Sequence, residues 1–133
     1  MPVVTGVLSI SAPASADLGA AAPGGTSGAG LGVVQVTDDR DGLTGWTATV
    51  SSTDFTTGRG TASETIPVTD VRYLISGFVS TTGSATFTRT PTTSLSTSPQ
   101  GVVTATDVHG DNSVTWNPEI RVSVPSGAVG GTY

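Results

Sequence analysis

Apolar and polar residues alternate along this chain with a period of two, the spacing of strands that bury one face. Residues 46–52 show it most clearly: Trp46, Ala48 and Val50 fall on one face, and Thr47, Thr49 and Ser51 on the other. A strand is also expected at residues 7–10, where Leu8 and Ile10 share a face ahead of Pro13, and another at 31–37, closed by the acidic turn 38–42. Weaker alternation predicts strands at 62–66, 71–75, 84–89 and 102–106. Residues 18–30 read as a short strand running into a glycine-rich loop, and Asp107-Val-His-Gly-Asp-Asn112 reads as a turn by composition. Residues 114–124 read as one long strand with Ile120, Val122 and Val124 on one face, in which Pro118 forces an edge position or a bulge.

Helical spacing is missing nearly throughout, and 18 glycines and 8 prolines would penalise helices. Eight to ten short strands between glycine- and serine-rich turns predict one all-β domain over residues 1–133. The expected form is an antiparallel β-sandwich, immunoglobulin-like or jelly-roll-like. Residues 121–133 then read as a strand, a turn and the first two residues of another strand, so the sandwich is expected to be incomplete at its C-terminal strand. An unpaired edge either aggregates or accepts a strand from elsewhere. The expected strand-accepting edge comprises Ile120, Val122, Val124 and Tyr133.

Composition narrows the function classes. The chain has no cysteine and no lysine, and its five basic residues are Arg40, Arg59, Arg72, Arg89 and Arg121. Thiolate chemistry, a Schiff-base lysine, a phosphate-loop lysine and lysine isopeptide crosslinks are thereby excluded. A net charge of −5 with 11% charged residues makes nucleic acid a poor partner. Serine and threonine supply about three residues in ten, which suits solvent-facing strand positions and is common in extracellular proteins. No apolar run approaches the ~20 residues of a membrane span, and the start Met1-Pro2-Val3-Val4 does not read as a signal peptide.

Candidate chemistry is sparse. The turn Asp38-Asp-Arg-Asp41 offers three carboxylates to a cation, but its spacing matches no known oxygen cage, and in Asp107-Val-His-Gly-Asp-Asn112 the residues Asp107, His109, Asp111 and Asn112 could act as ligands, although turns select these same residue types. Asp38, Asp41, Asp107 and Asp111 are the weak metal candidates. His109 is the only histidine, no Gly-x-Ser-x-Gly elbow occurs, and a histidine in a glycine-flanked turn is most often solvated. Asp54, Glu64, Asp70 and Glu119 are the carboxylates that could pair for glycoside hydrolysis. Trp46, Trp116, Tyr73 and Tyr133 are the flat groups on which a carbohydrate could stack, although both tryptophans lie in register with Ala, Val and Ile and read as core. No motif calls for a cofactor, and a non-enzymatic protein is expected.

The two tryptophan segments also carry a family resemblance. Residues 37–57, with Asp-x-Arg, Gly-Trp-x-x-x-Val and Thr-Asp-Phe in order, resemble the first tryptophan block of WxL-type surface domains of Gram-positive bacteria. Residues 112–133 and 6–19 are similar to the closing and opening blocks of small secreted proteins of high-GC Gram-positive bacteria related to that group. The strict motif has leucine two residues after each tryptophan, where this chain has Ala48 and Pro118. The resemblance implies an extracellular β-domain held non-covalently at the cell wall, in some members through peptidoglycan. It also implies a Thr-rich final strand of about nine residues after the Gly-Thr-Tyr133 block, near the usual strand length. The expected partners are therefore a complementing strand or neighbouring subunit, or a cell-wall polymer.

Overall fold

The computed structural model describes residues 6–133. Its strands, in chain order, are β1 (Leu8–Ser11), β2 (Thr26–Gly30), β3 (Val34–Asp38), β4 (Trp46–Val50), β5 (Phe55–Thr56), β6 (Thr65–Ile66), β7 (Val71–Leu74), β8 (Phe78–Arg89), β9 (Thr92–Ser94), β10 (Gln100–Trp116) and β11 (Glu119–Ser123). Two single 3₁₀ turns, Ala62–Glu64 and Val68–Asp70, flank β6. All pairings are antiparallel.

The first sheet is organised by β10, 17 residues long. One edge of β10 pairs with β8, and the other takes β3 against its C-terminal half and β4 against its N-terminal half. β1 lies outside β3. The second sheet has the order β2-β11-β7-β9, and β5 and β6 form a separate two-stranded ladder. Inward-facing Val34, Val36, Trp46, Ala48, Val103, Ala105, Val114 and Trp116 of the first sheet share one core with Val71, Tyr73, Ile120 and Val122 of the second. The all-β sandwich expected from alternation is the observed architecture.

Trp46 and Trp116 are 7% and 1% exposed, so both are core. Ala105 pairs with Trp46 on one side and Phe87 on the other, and its small side chain lets the two rings approach across it, with centroids 6.3 Å apart and planes tilted by 40°. Trp116 Nε1 donates to the Tyr73 hydroxyl at 3.0 Å, which bridges the two sheets within the core.

Three local expectations are corrected. Residues 107–112 do not turn the chain; they lie inside β10, which shifts register between Thr106 and His109 and again between His109 and Asn112. These bulges use left-handed backbone at Asp107 (φ 52°) and Gly110 (φ 88°), residues that tolerate it, so turn-type composition marks a bent strand here. The long strand expected over 114–124 is two strands in different sheets. Asn117-Pro118 carries the chain across, because proline cannot continue the ladder. In residues 18–30 the order is reversed: the strand is the glycine-rich part, Thr26–Gly30, and the segment before it has no regular structure.

Candidate functional site at the open end of the second sheet

The acidic turn is consumed by structure. Asp38, 2% exposed, accepts hydrogen bonds from Arg40 N (3.0 Å) and Arg40 Nε (2.8 Å) at Oδ1, and from Arg40 Nη2 (3.0 Å) and Asn112 Nδ2 (3.3 Å) at Oδ2. The Arg40 side-chain bonds hold the Asp38 carboxyl below its ordinary range, against the smaller opposing effect of burial. Arg40 also reaches the carbonyls of Thr44 and Gly45, both at 3.1 Å. Asn112, 3% exposed, accepts from Trp46 Nε1 at 2.9 Å and donates to Gly110 O at 3.1 Å. A Cβ on Gly45 would run into the Ala105 carbonyl, so only glycine lets the turn close and deliver Trp46 to the core. The Asp-x-Arg and Gly-Trp elements are thus parts of one buried polar staple between the β3–β4 turn and β10.

The remaining candidates scatter. Asp41 N donates to Asp111 Oδ1 at 3.0 Å, which brings those two residues together, while both oxygens of Asp38 are engaged by Arg40 and Asn112. Among the described residues no three His, Cys, Asp or Glu side chains gather as a metal site would require. His109 is exposed on β10 opposite Ser84. Asp54 accepts from Val68 N (2.8 Å), Glu64 from Thr61 Oγ1 (2.7 Å) and Arg59 N (3.0 Å), and Glu119 from Arg121 Nε (2.9 Å). Three of the four carboxylates considered for glycoside hydrolysis thus serve local structure. Among the described residues no helix is long and apolar enough to cross a membrane.

The expected strand-accepting edge also needs correction. β11 is paired on both sides, with β2 and with β7, so Ile120 and Val122 lie in the interior of the sheet. They point into the core, at 6% and 4% exposure, and Val124 extends the same face past the end of β11. What opens to solvent is the space beside them. A groove of about 880 Å³ is lined by Val122, Val124, Phe55, Ile66 and Ser27, together with residues 15–21 and 128–133. Tyr133 forms part of its wall, held by hydrogen bonds from its hydroxyl to Ser63 O (3.2 Å) and Val129 O (2.8 Å).

The free backbone next to this groove belongs to β2. Val124 N donates to Gly25 O and Leu31 N to Pro118 O, so in the β2–β11 ladder the odd-numbered residues of β2 bond to β11. Thr26, Gly28 and Gly30 therefore direct their N–H and C=O groups outward, where among the described residues no strand pairs with them. β2, Thr-Ser-Gly-Ala-Gly, has no charge, proline or bulge of the kind that usually blunts an edge. Residues 12–21 pass alongside without forming a ladder; the Ser27 hydroxyl bonds the Leu18 carbonyl, and Leu18 packs against the core. Local pattern misses this edge because two glycines remove the side-chain alternation that identifies strands. Their absent side chains are also what leaves the backbone accessible.

Comparison of this chain with protein-family models, curated proteins and solved structures finds no match.

Proposed function

We propose that this protein is a non-enzymatic, secreted surface domain acting in cell-envelope association or assembly, and that it accepts an extended β-strand from another chain. One observation carries the reading: the outer edge of β2, which no strand pairs among the described residues, adjoins a groove in which core-facing apolar side chains meet solvent. An added strand would bond Thr26, Gly28 and Gly30 through the main chain and place alternate side chains in the groove beside Val124 and Phe55. Six backbone groups at about 0.5–1.5 kcal/mol each contribute roughly 3–9 kcal/mol. Association costs about 4–15 kcal/mol, so the ladder alone is insufficient. Two buried valine-sized anchors, at about 1.5–3 kcal/mol each, move the balance toward binding. The preferred partner therefore has small apolar residues at every second position, and the resemblance implies that the strand carrying them is Thr-rich. The resemblance to WxL-type domains supports the cell-surface setting.

The rival reading, a carbohydrate-binding module that stacks sugars on Trp46, Trp116 or Tyr73, loses its platforms: all three are buried, and Tyr73 and Trp116 hydrogen-bond each other. Size-exclusion chromatography with light scattering, with and without a Thr-rich peptide carrying valine at alternate positions, tests the proposal. A one-to-one complex is expected, lost in Val124→Asp and with a peptide whose valines are replaced by aspartate. Equal binding of both peptides would contradict the groove's role.

A further inference from the structure

The outer face of the second sheet carries two arginines side by side. Arg121 of β11 stands directly opposite Arg72 of β7 in the ladder, and the residues flanking that row are Gly28 of β2 and Ser94 of β9. The two arginines occupy a hydrogen-bonded pair position, where Cα atoms are about 5.5 Å apart. Like charges so placed destabilise a sheet. Both side chains are exposed; Arg121 Nε bonds Glu119 Oε1 at 2.9 Å and Arg72 Nη1 bonds the Thr69 carbonyl at 2.9 Å, which leaves most of the five N–H donors on each free to bind. A third arginine stands nearby: Arg89, anchored through Nη1 to Ile75 O at 2.6 Å, borders a depression of about 320 Å³ together with Arg121, Ser76 and Asn117. Three of the five cations of a chain with net charge −5 thus collect on one side, against the carboxylates of Glu119 and Asp70.

We propose that this face binds a carboxylate-bearing polysaccharide, the guanidinium groups of Arg72 and Arg121 gripping its acid groups. Guanidinium forks match planar carboxylates through paired hydrogen bonds. The side chains of Arg121 and Glu119 lean over Gly28, with Arg121 Cγ 3.2 Å and Glu119 Oε1 3.3 Å from where a Cβ there would stand, and the exposed Ser94, Thr92 and Ser123 line the rim with hydroxyls that a polyol chain can bond. Leu74, half-buried opposite Glu119, is the large apolar side chain of this face, and among the described residues no aromatic stands on it to serve as the anchor that dominates protein docking. The excess negative charge elsewhere favours a sparsely charged polymer over a nucleic acid, with its charge about every 1.7 Å. The proposal is independent of the strand-accepting groove.

Calorimetric titration with polygalacturonate at low ionic strength tests it, with poly(glycerol phosphate) and a neutral cellulose ether as parallel arms. Saturable binding of polygalacturonate is expected, weakening as salt is raised. The Arg72→Gln/Arg121→Gln double variant should bind about tenfold or more weakly. Arg59→Gln, outside the face, and Val124→Asp, in the groove, should bind as the unaltered protein does. Because Arg72 and Arg121 repel each other, the single variant Arg72→Gln should melt no lower than the unaltered protein, which separates lost binding from lost folding. Absence of polygalacturonate binding, equal binding of the phosphate or neutral polymer, or undiminished binding by the double variant would overturn the proposal.

Discussion

Replacing Asn112 by alanine tests the buried staple that places Trp46. In the native structure Asn112 Oδ1 accepts the Trp46 indole N–H at 2.9 Å, and its amide donates to Asp38 and to Gly110 O. Alanine leaves the indole N–H without an acceptor at a site 7% exposed, which costs about 1–3 kcal/mol. The vacated volume adds to this, whereas Asp38 keeps its Arg40 bonds, so a total of about 2–4 kcal/mol is expected. For 133 residues the entropy of unfolding is about 0.28 kcal/mol per kelvin, so the melting midpoint should fall by about 7–14 °C. Thermal denaturation followed by tryptophan fluorescence measures it. In a Trp46→Phe background, where no indole N–H remains to be stranded, Asn112→Ala should cost about 1–2 kcal/mol less. A midpoint shift below about 2 °C, or no coupling between the two positions, would refute the staple.

Two further predictions concern stability. The carboxyl of Asp38 is held below its ordinary value by Arg40, so it stabilises the fold above the unfolded value near 3.9, and that contribution disappears as pH falls through the lower folded value. Glu64 is shifted in the same direction by Thr61 and the Arg59 N–H. Acid unfolding monitored by circular dichroism should therefore begin below about pH 4 and become less steep in Asp38→Asn; an unchanged acid limb in that variant would count against the assignment. Thr93→Val removes a buried side-chain hydroxyl that has no partner among the described residues and keeps the β-branched shape, so it should be neutral or raise stability by about 1 kcal/mol, read as a midpoint gain of up to about 4 °C. A clear loss of stability would show that Thr93 Oγ1 is satisfied in solution.

The fold was legible wherever one face of a strand is buried. Trp46, Ala48 and Val50 alternate because β4 packs one side on the core, and Ile120 and Val122 do the same in β11. Two features hid the rest. Register shifts in β10 are built from Asp107, Gly110 and neighbouring polar residues, the types that also build turns, so composition cannot tell a bulged strand from a chain reversal. Pairing is long-range: whether Val122 stands at an edge or in a sheet interior depends on Ser27 and Val71, far away in sequence, and nothing within residues 119–123 encodes it. The groove was half legible for the same reason. Val122, Val124 and Tyr133 do line it, but the free backbone beside it belongs to a glycine-rich strand that carries no alternation. The arginine face depends on cross-strand register and could not be read from spacing in the chain.

Residue-resolved amide exchange at Thr26, Gly28 and Gly30, with and without the alternating Val/Thr peptide, addresses strand acceptance at its point of action. In the free protein these amides face away from β11 and should exchange fast, while Ser27 and Ala29, bonded into the β2–β11 ladder, exchange slowly. Saturating peptide should slow all three outward amides together and leave those of β9, at the opposite edge of the sheet, unchanged. Protection that appears at β9 or β8 in place of β2, or none at all where the peptide binds, would contradict the account.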